Sequence, residues 1–221
     1  MSKQFWGVII IVVLVFAGIF FLTGNKKAGA PSSSSSDTLT QHVEGKGKSG
    51  VKLVEYGDYE CPFCGAAYPV IKQVVADLND QITFQFRNFP LTQIHQNAFA
   101  GARAAEAAGL QGKFWQMHDT LYENQDPSGK TGWVASSDPL NTYFVGFARQ
   151  AGLNVDKFKS DYQSGKVNDL INADRDEGTK LNIQGTPTFF LDGKQVTLPY
   201  SQGVSAVEKI INAEIAKKTQ T

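Results

Sequence analysis

Two cysteines stand in the chain, and they form one short motif, Cys61-Pro62-Phe63-Cys64. Residues i and i+3 at a helix start share one face, so a disulfide between Cys61 and Cys64 needs little backbone rearrangement. Pro62 falls at the first helical position, where a missing N–H costs nothing. Cys61 then meets the unpaired N–H groups and the positive end of the helix dipole, and both favour thiolate over thiol. In such motifs the thiol pKa falls from about 8.5 to roughly 3.5–7. The thiolate is the nucleophile, so Cys61 is the expected attacking residue. Cys64, one turn deeper, is the expected resolving thiol that closes the ring and releases substrate. Together they form the expected redox-active disulfide.

Two other uses of a cysteine pair fit less well. A structural disulfide staples a longer loop, because closing a short one constrains little. A zinc site needs four ligands, and beside these cysteines the chain has only His42, His95 and His118, with no histidine pair at ligand spacing. No metal and no cofactor are expected. The second signal is Gly185-Thr186-Pro187-Thr188-Phe189, where a proline just before a β-rich run opens a sheet edge or holds a cis peptide bond. His95 and His118 fall in helical patterns and read as packing or capping residues. Asp58 and Glu60 read as solvated loop carboxylates close to Cys61.

The elements around the motif position it. Val51-Lys52-Leu53-Val54-Glu55 is a short, largely apolar strand pattern ending just before the cysteines. After them, Ala67, Val70, Ile71, Val74, Val75 and Leu78 recur at spacings of three and four, the apolar face of a helix from about Pro62 to Leu78. Ile82 to Arg87 alternates as a half-buried strand. From Gln93 to about Leu181 the pattern is helical, with expected helices over Ala98–Ala108, around Phe114–Leu121, and over Thr142–Ala151, Val155–Gln163 and Val167–Lys180. Asp126 to Pro139 reads as a loop. Thr188–Leu191 and Gln195–Leu198 read as strands joined by an Asp192-Gly193 hairpin turn. Val204, Val207, Ile210, Ile211 and Ile215 mark a closing helix. The order is β-α-β, a helical insertion, then β-β-α, which predicts an α/β fold with one mixed sheet.

Three motifs occur in this order: Glu55-Tyr56-Gly57-Asp58-Tyr59-Glu60-Cys61-Pro62-Phe63-Cys64, then Arg87-Asn88-Phe89-Pro90-Leu91, then Gly185-Thr186-Pro187-Thr188-Phe189-Phe190. From about Val51 to Ala216 the chain resembles the DsbA-like branch of the thioredoxin superfamily. The resemblance implies a thioredoxin-like fold with a helical insertion at about residues 92–181. It implies that Pro187 is cis and faces the disulfide, and that Thr186 offers backbone hydrogen bonds to an extended substrate segment beside Pro62 and Phe63. It implies that Glu55 lies beneath the disulfide and accepts the proton of Cys64 during turnover. The chain departs from the strongly oxidising members at Phe63, where they carry His, so no side-chain charge supports the Cys61 thiolate from the dipeptide.

The remainder of the chain addresses location. Phe5 to Leu22 is an uncharged run of 18 residues, about 27 Å as a helix at ~1.5 Å per residue. It is longer than a signal-peptide apolar region, so an N-terminal membrane anchor over residues 1–27 is expected, although Ala28-Gly29-Ala30 resembles a cleavage site. Residues 28–49, with five consecutive serines and several glycines, are expected to form a flexible linker, and residues 50–221 the folded domain. Lys3 and the α-amino group face Lys26 and Lys27 across the run, so charge does not set the orientation. The extracytoplasmic placement follows from the chemistry, which needs an oxidising compartment. Lys3, Lys26 and Lys27 precede the first acidic residue, leaving 18 basic against 21 acidic side chains from Asp37 onward. Such a domain has no general attraction to nucleic acid.

The expected function is disulfide formation in thiol-containing secreted or envelope proteins, with a membrane redox partner that reoxidises the dithiol. A reductase or isomerase is the alternative, kept open by Thr186 and Phe63. A tethered metal chaperone using the same thiols leaves the Thr186-Pro187 motif without a purpose.

Overall fold

A computed structural model describes residues 39–220. Its five-stranded sheet has the order β1-β3-β2-β4-β5. Strands β2 (Val51–Gly57) and β3 (Ile82–Asn88) pair in parallel at its centre, joined through helix α1 (Pro62–Asp77). Strand β4 (Thr188–Leu191) runs antiparallel to β2, and β5 (Lys194–Val196) closes the hairpin. The hairpin turn falls at Asp192 and Gly193, both with positive φ, as an Asp-Gly turn requires. Strand β5 is shorter than the expected Gln195–Leu198.

The register assigns the two faces. Leu53 lies opposite Phe84 and Leu191, and Glu55 opposite Phe86 and Phe189, so these side chains share one face. Helices α1 and α7 (Val204–Lys218) cover it, and their Ala67, Ile71, Val74, Val207 and Ile211 join Val51, Leu53 and Ile82 in one core. The other face carries Tyr56, Phe190 and Arg87 towards helix α6 (Gly165–Lys180).

Between β3 and β4 lies the helical insertion. It contains α2 (Ala98–Gly109), α3 (Phe114–Glu123), α4 (Val145–Gln150), α5 (Val155–Tyr162) and α6. Alanines 102, 104, 105, 107 and 108 let α2 pass closely through a second core with Phe114, Met117, Leu121, Trp133, Phe144 and Phe158. Asn154 and Ser164 cap α5 and α6, their side-chain oxygens accepting from the N–H groups of Lys157 and Val167. Two short elements fall outside the sequence expectation. A 3-10 turn, Gly132–Ala135, interrupts the expected loop and buries Trp133, and a π-helical turn, Leu140–Phe144, leads into α4.

The linker expectation is corrected from residue 39 onward. Strand β1 (Val43–Glu44) pairs antiparallel with β3, Val43 opposite Gln85 and Glu44 opposite Phe84. Thr40 is buried, and its N–H and hydroxyl donate to the two carboxylate oxygens of Asp174 at 3.1 and 2.7 Å. His42 stacks on Phe114 and pairs with buried Glu106 at 2.9 Å. The segment is polar, so its sequence shows no hydrophobic period; hydrogen bonds and a sheet edge hold it instead. The expected membrane anchor lies outside the described residues. Among the described residues no helix is long and apolar enough to cross a membrane.

Candidate active site

The end of β2 and the start of α1 bring the two cysteines together. Cys61 is the N-cap of α1 in extended conformation, with Pro62 following at the helix start. Both cysteines are free thiols, Cys61 3% exposed and Cys64 fully buried. The connection is braced from the turn just after α3: the Gln125 amide donates to the carbonyls of Tyr59 (2.7 Å) and Cys61 (3.0 Å). Gly65 leaves room for it, since a Cβ there would stand 2.0 Å from the Gln125 oxygen.

The Cys61 sulfur is set up as a thiolate. Its pKa is lowered to about 6, first by a hydrogen bond from the Cys64 thiol, then by the Thr186 side chain and the N–H groups of Cys64 and Phe63; burial opposes them. The Thr186 hydroxyl is buried without a partner in this thiol form, and deprotonation of Cys61 gives it an acceptor. In the thiol state the Cys61 Sγ donates to the Thr186 carbonyl at 3.3 Å. The peptide bond between Thr186 and Pro187 is cis. The loop preceding β4 therefore lies against the Cys61 sulfur.

Cys64 behaves in the opposite way. Burial raises its pKa well above the usual thiol range, and the hydrogen bond it donates to Cys61 adds to this. The Asp58 N–H approaches its sulfur at 3.5 Å. One nucleophile and one held proton thus stand side by side. Glu55, on β2, is 3% exposed. Burial pushes its carboxyl up to about 8, with a further push from the Cys61 charge. A carboxyl with that value exchanges a proton near neutrality, which suits acid–base work on a buried thiol.

The two loop carboxylates depart from the expectation of solvation. Asp58 is 1% exposed and accepts from the N–H groups of Glu60 (2.8 Å) and Leu91 (2.9 Å) and from His95 Nδ1 (2.7 Å). The bond to Asp58 raises the His95 pKa above its ordinary value. Glu60 accepts from the Asn97 N–H at 2.5 Å. These bonds tie the loop after β3 to the loop before Cys61. His95 is therefore an ion-pair partner of Asp58, 37 residues away in sequence. His118 is buried beside Tyr59, with its pKa lowered to about 3 by burial, so it is a neutral packing residue. Phe63 projects from the site, 65% exposed, and Ile94 is 73% exposed on the loop that Asp58 holds.

A family model described as Thioredoxin matches residues 37–213. The Na(+)/H(+) antiporter NhaA 1 of Salinispora arenicola is 38% identical over 159 residues, which cover 72% of this chain and 22% of that protein. The chain spans about a quarter of the length of the antiporters it matches. The probable disulfide bond formation protein D of Bacillus cereus is 29% identical over 176 residues, 77% of this chain and 78% of that protein. Among solved structures, a thioredoxin-like oxidoreductase from Silicibacter pomeroyi superposes with a TM-score of 0.63 at 25% identity, covering 85% of this chain and 99% of that one. Oxidised BdbD from Bacillus subtilis gives 0.66 at 24% identity, covering 80% and 93%.

Proposed function

The chain belongs to the thioredoxin family and shares the fold of the DsbA-like proteins, and from that premise we propose that it is a thiol–disulfide oxidoreductase that forms disulfides in extracytoplasmic proteins. The observation that carries the reading is the split between two adjacent thiols, Cys61 lowered to about 6 and Cys64 held protonated by burial. Stabilising the thiolate stabilises the reduced form, and a stabilised reduced form makes the disulfide an oxidant.

In the proposed cycle a substrate thiolate attacks the Cys61 sulfur of the Cys61–Cys64 disulfide. The S–S bond breaks, its electron pair leaves on Cys64, and Cys64 takes a proton from Glu55. A second substrate thiolate attacks its own sulfur in the mixed disulfide, forming the substrate disulfide and releasing Cys61 as thiolate. Thr186 and cis-Pro187 offer the substrate an extended backbone next to Cys61, and Pro62 and Phe63 supply the apolar contact on the other side. A membrane redox partner removes the two electrons and restores the disulfide. Residues 1–27 anchor the domain outside the cytoplasm. The linker ends near residue 39, and the catalytic domain includes the segment from Thr40.

The test is disulfide transfer. Oxidised protein mixed with a reduced, unfolded secreted protein is expected to lose its Cys61–Cys64 disulfide as the substrate gains one, and Cys61→Ala is expected to abolish the reaction. If the oxidised protein stays oxidised, the reading fails. A reductase remains the second reading, favoured by Phe63, whose exposed ring brings no charge to Cys61.

A further inference from the structure

Glu55 is buried in the fold, yet the proposed cycle moves a proton on and off it at each turnover. Among the described residues none hydrogen-bonds its carboxyl; its raised pKa has only burial and the Cys61 charge as causes. A small cavity of about 20 Å³ touches it, lined by Glu55, Glu44, Tyr68, Lys72, His118 and Asp119 together with Tyr122 and apolar side chains. A site of that size with polar walls suits one water, which needs roughly 10–15 Å³ and two or more polar partners. Sheet register puts Glu44 on the same face as Glu55, since Glu44 lies opposite Phe84 and Phe84 opposite Leu53. Glu44 is half-buried, whereas Glu55 is only 3% exposed.

We propose that Glu44 and the cavity it lines form the proton route between Glu55 and solvent, with one bound water between the two carboxyl groups. This rests on the oxidoreductase reading and assigns a proton-relay role to a residue of the N-terminal strand. The charged groups facing Glu44 are Lys72 on α1 and Asp119 on α3, which pair with each other at 3.1 Å; His118 beside them is neutral. Burial and Asp119 raise the Glu44 pKa, and Lys72 opposes them, so Glu44 is matched more closely to Glu55 than an exposed glutamate is. In the resolving step the Cys64 S–H proton passes to the Glu55 carboxylate. The Cys64 electron pair forms the bond to Cys61 Sγ as the mixed disulfide breaks, and the departing thiol leaves with the other pair. The proton then moves from Glu55 through the water to Glu44 and out. The unpartnered Tyr122 hydroxyl, which feels both Cys64 and Glu55, borders this path.

The full-length protein in detergent is loaded with glutathione on Cys61, and glutathione release is followed against pH in H2O and in D2O at low buffer concentration. Glu44→Gln is expected to slow release about tenfold or more, to enlarge the solvent isotope effect, and to be rescued by added acetate, while the Cys61–Cys64 reduction potential stays unchanged. Val75→Ile, which puts a methyl group into the cavity, is expected to slow release without touching either carboxyl. If wild type releases glutathione and both variants match it in rate, pH profile and isotope effect, the route is overturned and the oxidoreductase reading stands. If wild type itself never releases glutathione, both fall.

Discussion

The chemistry of this protein turns on how three adjacent groups divide two protons. Cys61 holds its pKa near 6 through donors that reach its sulfur, while Cys64 and Glu55 are held neutral by burial. Titration of the reduced protein at 240 nm is expected to show one thiolate appearing near pH 6, absent in Cys61→Ala. Glu55 has a stability consequence of definite sign. Its folded value of about 8 lies above the ordinary 4.5, so between these the folded state binds the extra proton and stability falls as pH rises. Glu55→Gln is therefore expected to stabilise the reduced protein by about 3 kcal/mol at pH 7 and by nothing near pH 4. Denaturant unfolding at the two pH values checks this; an equal effect at both would mean that burial does not hold the carboxyl neutral. Phe63, exposed beside the thiolate, is the natural place to add charge. Phe63→His is expected to lower the Cys61 pKa by about one unit and raise the reduction potential by about 30 mV, measured in glutathione buffers.

At the scale of elements, the site is the junction of β2 with α1, braced from two directions. The junction was legible in the sequence because apolar period, Pro62 and the cysteine spacing agree there. The braces were not, because they are polar and distant in sequence: Gln125 from the turn just after α3, His95 and Asn97 from the loop after β3. A buried Asp58 and a solvated one look identical in sequence; only the fold supplies the donors that allow burial. The same reason hid the N-terminal strand. Thr40 and Asp174 are 134 residues apart, and neither belongs to a hydrophobic pattern. Asp174 is fully buried and also accepts from Arg87 (3.1 Å) and the Asn88 N–H (2.9 Å). Thr40→Val removes one donor from this charged hub and is expected to cost about 1.5–3 kcal/mol. Urea unfolding measures it; a cost near zero would mean the segment does not hold the fold. The π-helical turn at Leu140–Phe144 and the 3-10 turn around Trp133 also escaped the sequence, since neither has a hydrophobic period of its own.

Across the whole molecule, two cores meet at the active site. One is the sheet with α1 and α7; the other is the helical insertion, whose cluster includes Cys61 and Cys64 themselves. The order of strands and helices and the mixed sheet followed from alternating patterns along the chain, which are local signals. What the sequence left open is the direction of electron flow, because this is set by a balance among Cys64, Thr186, Glu55 and Phe63 that no single motif states. Hydrogen bonds from Cys64, Thr186 and Phe63 favour the Cys61 thiolate against burial and against repulsion from a charged Glu55, and burial keeps Cys64 from competing for the charge. On the proposed function, this stabilises the reduced state enough to make the protein an oxidant. Equilibration of the Cys61–Cys64 couple in glutathione buffers measures that directly. A reduction potential of roughly −120 to −180 mV is expected; a value of roughly −270 mV would overturn the oxidase reading and make the protein a reductase.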